Sequence, residues 1–123
     1  MIRGIGTDIV QVERIRRVLE RNPGFVQKVF CPQEIAYCEA RAAKAQSYAA
    51  RFAAKEAVMK ALGTGWAAGV NWQDIQVLSS DSGKPSLSLS GGALKTAQAL
   101  GATSWQISLS HEKDYAVAFV ILS

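Results

Sequence analysis

Cysteine and histidine are nearly missing from this chain: two cysteines and one histidine among 123 residues. Cys31 and Cys38 stand seven positions apart and far from His111. That excludes a disulfide-dense secreted scaffold and lacks the ligand spacing of a zinc site. Free thiols, buried or half-buried in a reducing cytosol, are the expected outcome. No apolar run approaches the roughly 18 residues of a membrane span. Met1-Ile2-Arg3-Gly4 has no charged segment followed by an apolar one, as a secretory signal needs. A cytoplasmic protein without a membrane partner is expected. Repeats, low-complexity tracts and linkers are absent too, so residues 1–123 read as one domain.

Several catalytic signatures are also missing. No G-x-S-x-G elbow supports a Ser/His/Asp nucleophile, and no Walker loop is present. Gly4-x-Gly6 is not a dinucleotide fingerprint, because the third glycine is lacking and both glycines precede the hydrophobic run.

What is there can build a core. The chain is 49% hydrophobic and 20% charged, with a mean hydropathy of +0.06. Fourteen basic residues against ten acidic give +4. That mild excess favours an anionic partner: nucleic acid, a phosphorylated small molecule or an acidic protein.

Ile2 to Val10 reads as a β-branched strand interrupted by glycines, which mark close approach of another backbone or a ligand. A helix is predicted over Val12–Arg21, stopped by Asn22-Pro23-Gly24. At about 100° per residue, Val12, Ile15 and Leu19 form an apolar stripe and Arg14, Arg17 and Arg21 a basic one. Phe25–Phe30 is short, apolar and of open type. Helices are predicted from Pro32 to Ala43 and from Gln46 to Leu62, the second ending at Gly63-Thr64-Gly65. Strands are expected at 75–78 and around Leu87 and Leu89, a helix over 91–100, and a hairpin of 105–109 with 115–122. Helices first and strands later predict an α+β fold, with a mostly antiparallel sheet packed against a long central helix.

Asp8, set among Ile5-Gly6-Thr7 and Ile9-Val10, is costly to bury without a partner. Either the strand ends at Gly6 and Asp8 caps the next helix or faces water, or Asp8 holds a cation. Glu56 and Lys60 stand one helical turn apart. They form either a surface pair worth about 0.2–0.5 kcal/mol, or a carboxylate and ammonium offered to a metal-bound phosphate. Magnesium commonly takes only one or two protein carboxylates. His111 is either a hairpin-turn residue or, with Lys113, a phosphate donor. Gly63-Thr64-Gly65 is a helix cap first and a phosphate loop second. The arginine stripe is a solvated face or a docking surface for an acidic partner. Trp66, Trp72 and Trp105 read as core or interface anchors before base-stacking platforms.

Three segments resemble the holo-[acyl-carrier-protein] synthases, small members of the 4'-phosphopantetheinyl transferase superfamily: 5–10 (IGTDIV), 51–65 (RFAAKEAVMKALGTG) and 110–118 (SHEKDYAVA). The likeness runs over nearly the whole chain, in order. It implies magnesium-dependent transfer of 4'-phosphopantetheine from coenzyme A to a serine of apo-acyl carrier protein, releasing adenosine 3',5'-bisphosphate, in fatty acid biosynthesis. It also implies a homotrimer with active sites between subunits. Asp8 and Glu56 match the metal carboxylates, and Lys60 the lysine beside the pyrophosphate. Arg51 and His111 match contacts to nucleotide phosphates, His111 from the neighbouring subunit. Gly63 belongs to the loop after the helix, and Gly83-Lys84-Pro85 resembles the loop beside the adenine. Arg14, Arg17 and Arg21 lie on the helix that meets the acidic carrier. Phe52 departs from the tryptophan common in relatives but keeps an aromatic ring. The base that takes the serine proton is left between Glu56 and a water oriented by a carboxylate. Two other readings compete: a small basic nucleic-acid-binding α+β module, and a non-enzymatic oligomerisation domain.

Overall fold

The structure is a computed structural model and describes residues 1–65 and 69–123. Strand β1 (Gly4–Gln11) runs without a loop into helix α1 (Val12–Arg21). Glu13 in the first turn of α1 and Arg21 in the last suit the helix dipole. The short apolar segment is a helix, α2 (Phe25–Val29). Helix α3 (Pro32–Glu39) starts on a proline, which gives up no hydrogen bond there. The Glu34 carboxylate accepts the Cys31 N–H at 2.9 Å to close that end. Helix α4 (Lys44–Leu62) has 19 residues and stops where Gly63 takes φ +77°, a left-handed cap that glycine adopts without strain.

Beyond a 3-10 turn (Trp72–Asp74) come β2 (Ile75–Ser79), β3 (Pro85–Leu89), α5 (Gly91–Ala99), β4 (Trp105–His111) and β5 (Tyr115–Leu122). Instead of one sheet the strands make two, both antiparallel: β1-β5-β4 and the hairpin β2-β3. The Trp105 indole joins them, donating to the Leu87 carbonyl at 3.1 Å. The expected α+β class with a long central helix is observed.

Strand alternation decides what faces α4. On β5, Ala116, Ala118, Val120 and Leu122 are buried, while Tyr115 and Phe119 point outward and are exposed. On β1, the same alternation puts Gly4, Gly6, Asp8 and Val10 on the helix side. A Cβ on Gly6 would sit 1.9 Å from the Ala57 carbonyl oxygen, and one on Gly4 2.3 Å from that of Ala61. Glycine on the strand and a stripe of buried alanines (Ala53, Ala57, Ala61) on the helix allow backbones this close. The outer face of the sheet carries Ile5, Ile9, Tyr115 and Phe119, each at least 40% exposed.

Three charged or polar groups lie inside. Glu34, Arg51 and Lys55 are buried. Lys55 Nζ pairs with Glu34 at 2.9 Å and donates to the carbonyls of Trp72 and Ile75. The other Glu34 oxygen accepts the Val77 N–H at 3.0 Å. This satisfied pair ties α3, α4 and β2 together. Cys31 and Cys38 are buried free thiols, as expected. Among the described residues, no helix is long and apolar enough to cross a membrane.

Candidate active site

Helix α4 carries two chemically distinct places, on opposite sides. On the first, Asp8 follows Gly6 along the helix-facing side of β1, so the close glycine contact brings its carboxylate against α4. Its Oδ1 accepts from Lys60 Nζ at 3.1 Å. Asp8 neither ends the strand nor caps α1, since β1 continues to Gln11. Lys60 spans 52 positions to reach it, which is more than an intrahelical surface pair. The Asp8 side chain is 17% exposed and that of Lys60 56%, so the pair opens to solvent. Glu56, half-buried, stands one turn before Lys60 on the same side. Gly63 follows at the helix end, with open space around its Cα.

Arg51 lies nine positions before Lys60, about half a turn round the helix and therefore on the opposite side. It is 4% exposed. One terminal nitrogen donates to Ser79 Oγ at 2.8 Å, and the guanidinium carbon sits 3.9 Å from the centre of the Tyr37 ring. Its Nε is buried without a hydrogen-bond partner among the described residues. Beside it is a cleft of about 190 Å³ whose walls include Tyr37, Gln46, Arg51, Gly83, Pro85 and His111. Four residues singled out from the sequence thus meet at one place: Arg51, Gly83, Pro85 and His111. Gly83 has φ +84° in the β2–β3 turn, a conformation that favours glycine. His111 closes β4. Gln46 Nε2 donates to the Glu112 carbonyl at 2.8 Å and ties that turn to α4. Lys84 is exposed and outside the cleft walls, and its carbonyl accepts from Ser80.

The resemblance assigned His111 to a neighbouring subunit, apart from Arg51. Within one chain the two share a cleft, and the residues set apart from His111 are Asp8 and Lys60. Tyr37, Gln46 and Ser79 were not anticipated. Tyr37 and Ser79 come from α3 and β2, which no sequence spacing connects to Arg51, whereas Gln46 lies five positions before it on α4.

Arg14, Arg17 and Arg21 are exposed together on α1, around a shallow depression. Glu13 partly engages Arg17 at 3.5 Å. Trp72 stacks on Phe52 with centroids 5.3 Å apart, and Trp105 is held by its indole bond. Both act as anchors, and Trp66 lies outside the described residues.

A family model described as the 4'-phosphopantetheinyl transferase superfamily matches residues 4–120. The chain belongs to the 4'-phosphopantetheinyl transferase superfamily. It is an enzyme, a phosphopantetheinyl transferase. Relatives in this superfamily include the holo-[acyl-carrier-protein] synthase of Solibacter usitatus, 48% identical over 99% of this chain and 98% of its own. That of Clostridium acetobutylicum is 43% identical, again over 99% of this chain and 98% of its own. Among solved structures, the Neisseria meningitidis holo-[acyl-carrier-protein] synthase superposes with a TM-score of 0.88 at 34% identity, covering 100% of this chain and 99% of that one. The Helicobacter pylori synthase in complex with coenzyme A gives 0.84 at 32% identity, covering 97% and 99%.

Proposed function

We propose that this phosphopantetheinyl transferase moves 4'-phosphopantetheine from coenzyme A to a serine of apo-acyl carrier protein, releasing adenosine 3',5'-bisphosphate, in the cytoplasmic synthesis of fatty acids. The observation that carries this reading is the cleft beside Arg51. A buried guanidinium whose Nε has no partner among the described residues, sharing a cleft with His111 and the β2–β3 turn, suits an anion. Arg51 and His111 would take the nucleotide phosphates, and Gly83 and Pro85 would wall the adenine, with Lys84 at the rim of the same turn.

On the other side of α4, Asp8 and Glu56 suit magnesium. Among the described residues no three His, Cys, Asp or Glu gather as a metal cage, and a hard cation that keeps waters and substrate oxygens needs only one or two carboxylates. Bound there, magnesium would neutralise charge on the diphosphate. Lys60 is free to leave Asp8 and stabilise the departing bisphosphate. Phosphoryl transfer leaves little covalent work to protein groups, so positioning and charge dominate. The arginines of α1 would orient the acidic carrier.

The two halves face away from each other, so one chain cannot apply both to one coenzyme A. A ring of copies solves this, with the Asp8 side of one facing the Arg51 cleft of the next. The bare apolar sheet face, Ile5, Ile9, Tyr115 and Phe119, supplies surface that such an assembly covers. The family resemblance makes that ring a homotrimer. The direct test is to mix protein, coenzyme A, magnesium and apo carrier and to weigh the carrier: one added phosphopantetheine supports the reading, and an unchanged mass removes it. Glu56→Gln should abolish transfer with the fold intact, and full turnover at saturating magnesium would refute its role. Mixing Arg51→Ala with Glu56→Gln chains should restore activity through hybrid interfaces. Light scattering that finds an active monomer would contradict the shared site.

A further inference from the structure

The buried Arg51 guanidinium has few hydrogen bonds to hold it. Of its five N–H donors, one terminal nitrogen bonds Ser79 and Nε has no partner among the described residues. Its closest aromatic partner is Tyr37, half-buried on α3, with the guanidinium carbon over the ring 3.9 Å from its centre. A second guanidinium, that of exposed Arg41, sits 4.2 Å from the same ring. The ring face is the negative end of the aromatic quadrupole and attracts cations, and of the two guanidiniums it is that of Arg51 that lines the cleft. An anion bound in the cleft would meet Arg51 and His111, both on its walls. Tyr37 belongs to neither the metal side nor the carrier side.

We propose that Tyr37 is a positioning residue that sets donor specificity: by stacking on Arg51 it aims the guanidinium at the phosphomonoester of the donor nucleotide, so that the enzyme prefers coenzyme A to 3'-dephospho-coenzyme A. The inference rests on the coenzyme A reading of the cleft. It assigns the ring a role in binding and none in chemistry, so KM and kcat separate. The effect follows the ring's quadrupole, strongest for tryptophan, similar for tyrosine and phenylalanine, and lost for leucine.

The test measures steady-state kinetics of the full-length protein with coenzyme A and with 3'-dephospho-coenzyme A, for Tyr37→Leu, Tyr37→Phe, Tyr37→Trp and Arg51→Leu. Tyr37→Leu should raise KM for coenzyme A roughly 5–20-fold. Its kcat, its KM for the carrier and its KM for the dephospho donor should stay within about twofold. Tyr37→Phe and Tyr37→Trp should keep the parental preference, whereas a role of the hydroxyl would lose it in both. If Tyr37→Leu leaves KM for coenzyme A unchanged, or raises both donors equally, the inference is overturned. Should Tyr37→Leu not fold, the aromatic pair still decides: loss of the preference in Tyr37→Phe overturns the inference, and its retention with a lower KM in Tyr37→Trp supports it. The fate of the underlying reading shows separately. Arg51→Leu that leaves KM for both donors unaltered removes the phosphate from the cleft, whatever the Tyr37 variants do.

Discussion

Lys55 and Lys60 stand five residues apart on one helix and do opposite things. Lys55 is sealed at 0% exposure, with a carboxylate and two carbonyls around its ammonium, so every N–H is spent inside the protein. Lys60 is more than half exposed and bonds the carboxylate of Asp8 directly, at 3.1 Å, on the solvent-facing side of the helix. A buried, satisfied charge has no capacity left for a ligand and breaks the protein when its partner goes. An exposed pair is cheap to separate, and a substrate oxygen or metal can replace either partner. Neighbouring identical residues thus divide into one that builds and one that works.

The largest expected effect tests the building half. Lys55→Met takes the ammonium away from buried Glu34, leaving its carboxyl only backbone N–H donors, and should cost about 3–5 kcal/mol in urea denaturation. Adding Glu34→Gln should return most of it. An unchanged midpoint in the single variant breaks the contrast. Lys60→Met should cost less than about 1 kcal/mol, yet lower turnover roughly 100-fold. Equal losses of stability at the two sites would again erase the distinction.

Gly6→Ala comes next. Its Cβ meets the Ala57 carbonyl oxygen at 1.9 Å, so β1 must back away from α4, at a cost of about 1–3 kcal/mol. Because Asp8 follows on the same face, turnover should fall with the thermal midpoint. Arg14→Ala should raise the carrier KM only severalfold, with less effect on coenzyme A. Arg17→Ala should do less, since Glu13 already engages that side chain. Unchanged carrier KM across Arg14, Arg17 and Arg21 variants would end the docking role.

The smallest effect is a pH dependence. Burial pushes the Cys38 thiol up to about 11, so the folded protein keeps its proton longer than the unfolded chain does. That contribution is fully present below the ordinary thiol value and fades as pH climbs from there towards 11. Urea midpoints should decline over that window, and Cys38→Ala should flatten the decline.

Much of this was legible in one dimension because its causes are local. The end of α1 before Asn22-Pro23-Gly24, the proline start of α3 and the glycine stop of α4 follow from chemistry within a few residues. The glycines of β1 announced a close backbone approach, and the approach is there against Ala57 and Ala61. The division of the strands into two sheets was not legible, because strand partners are chosen by packing rather than by alternation. Nor was Tyr37, whose part depends on where α3 lands beside α4.

Residue types and periods in the chain alone determined the helix faces, the strand alternation and the stock of charged groups available for phosphate and metal. Only folding decided their company: that Lys60 reaches Asp8 while Lys55 is walled in with Glu34, and that Arg51 meets His111 on the far side. The reason is physical. A helix places each side chain by a rotation of about 100° from the last, but what waits at that angle is set by elements distant in sequence, held there by burial of the whole core.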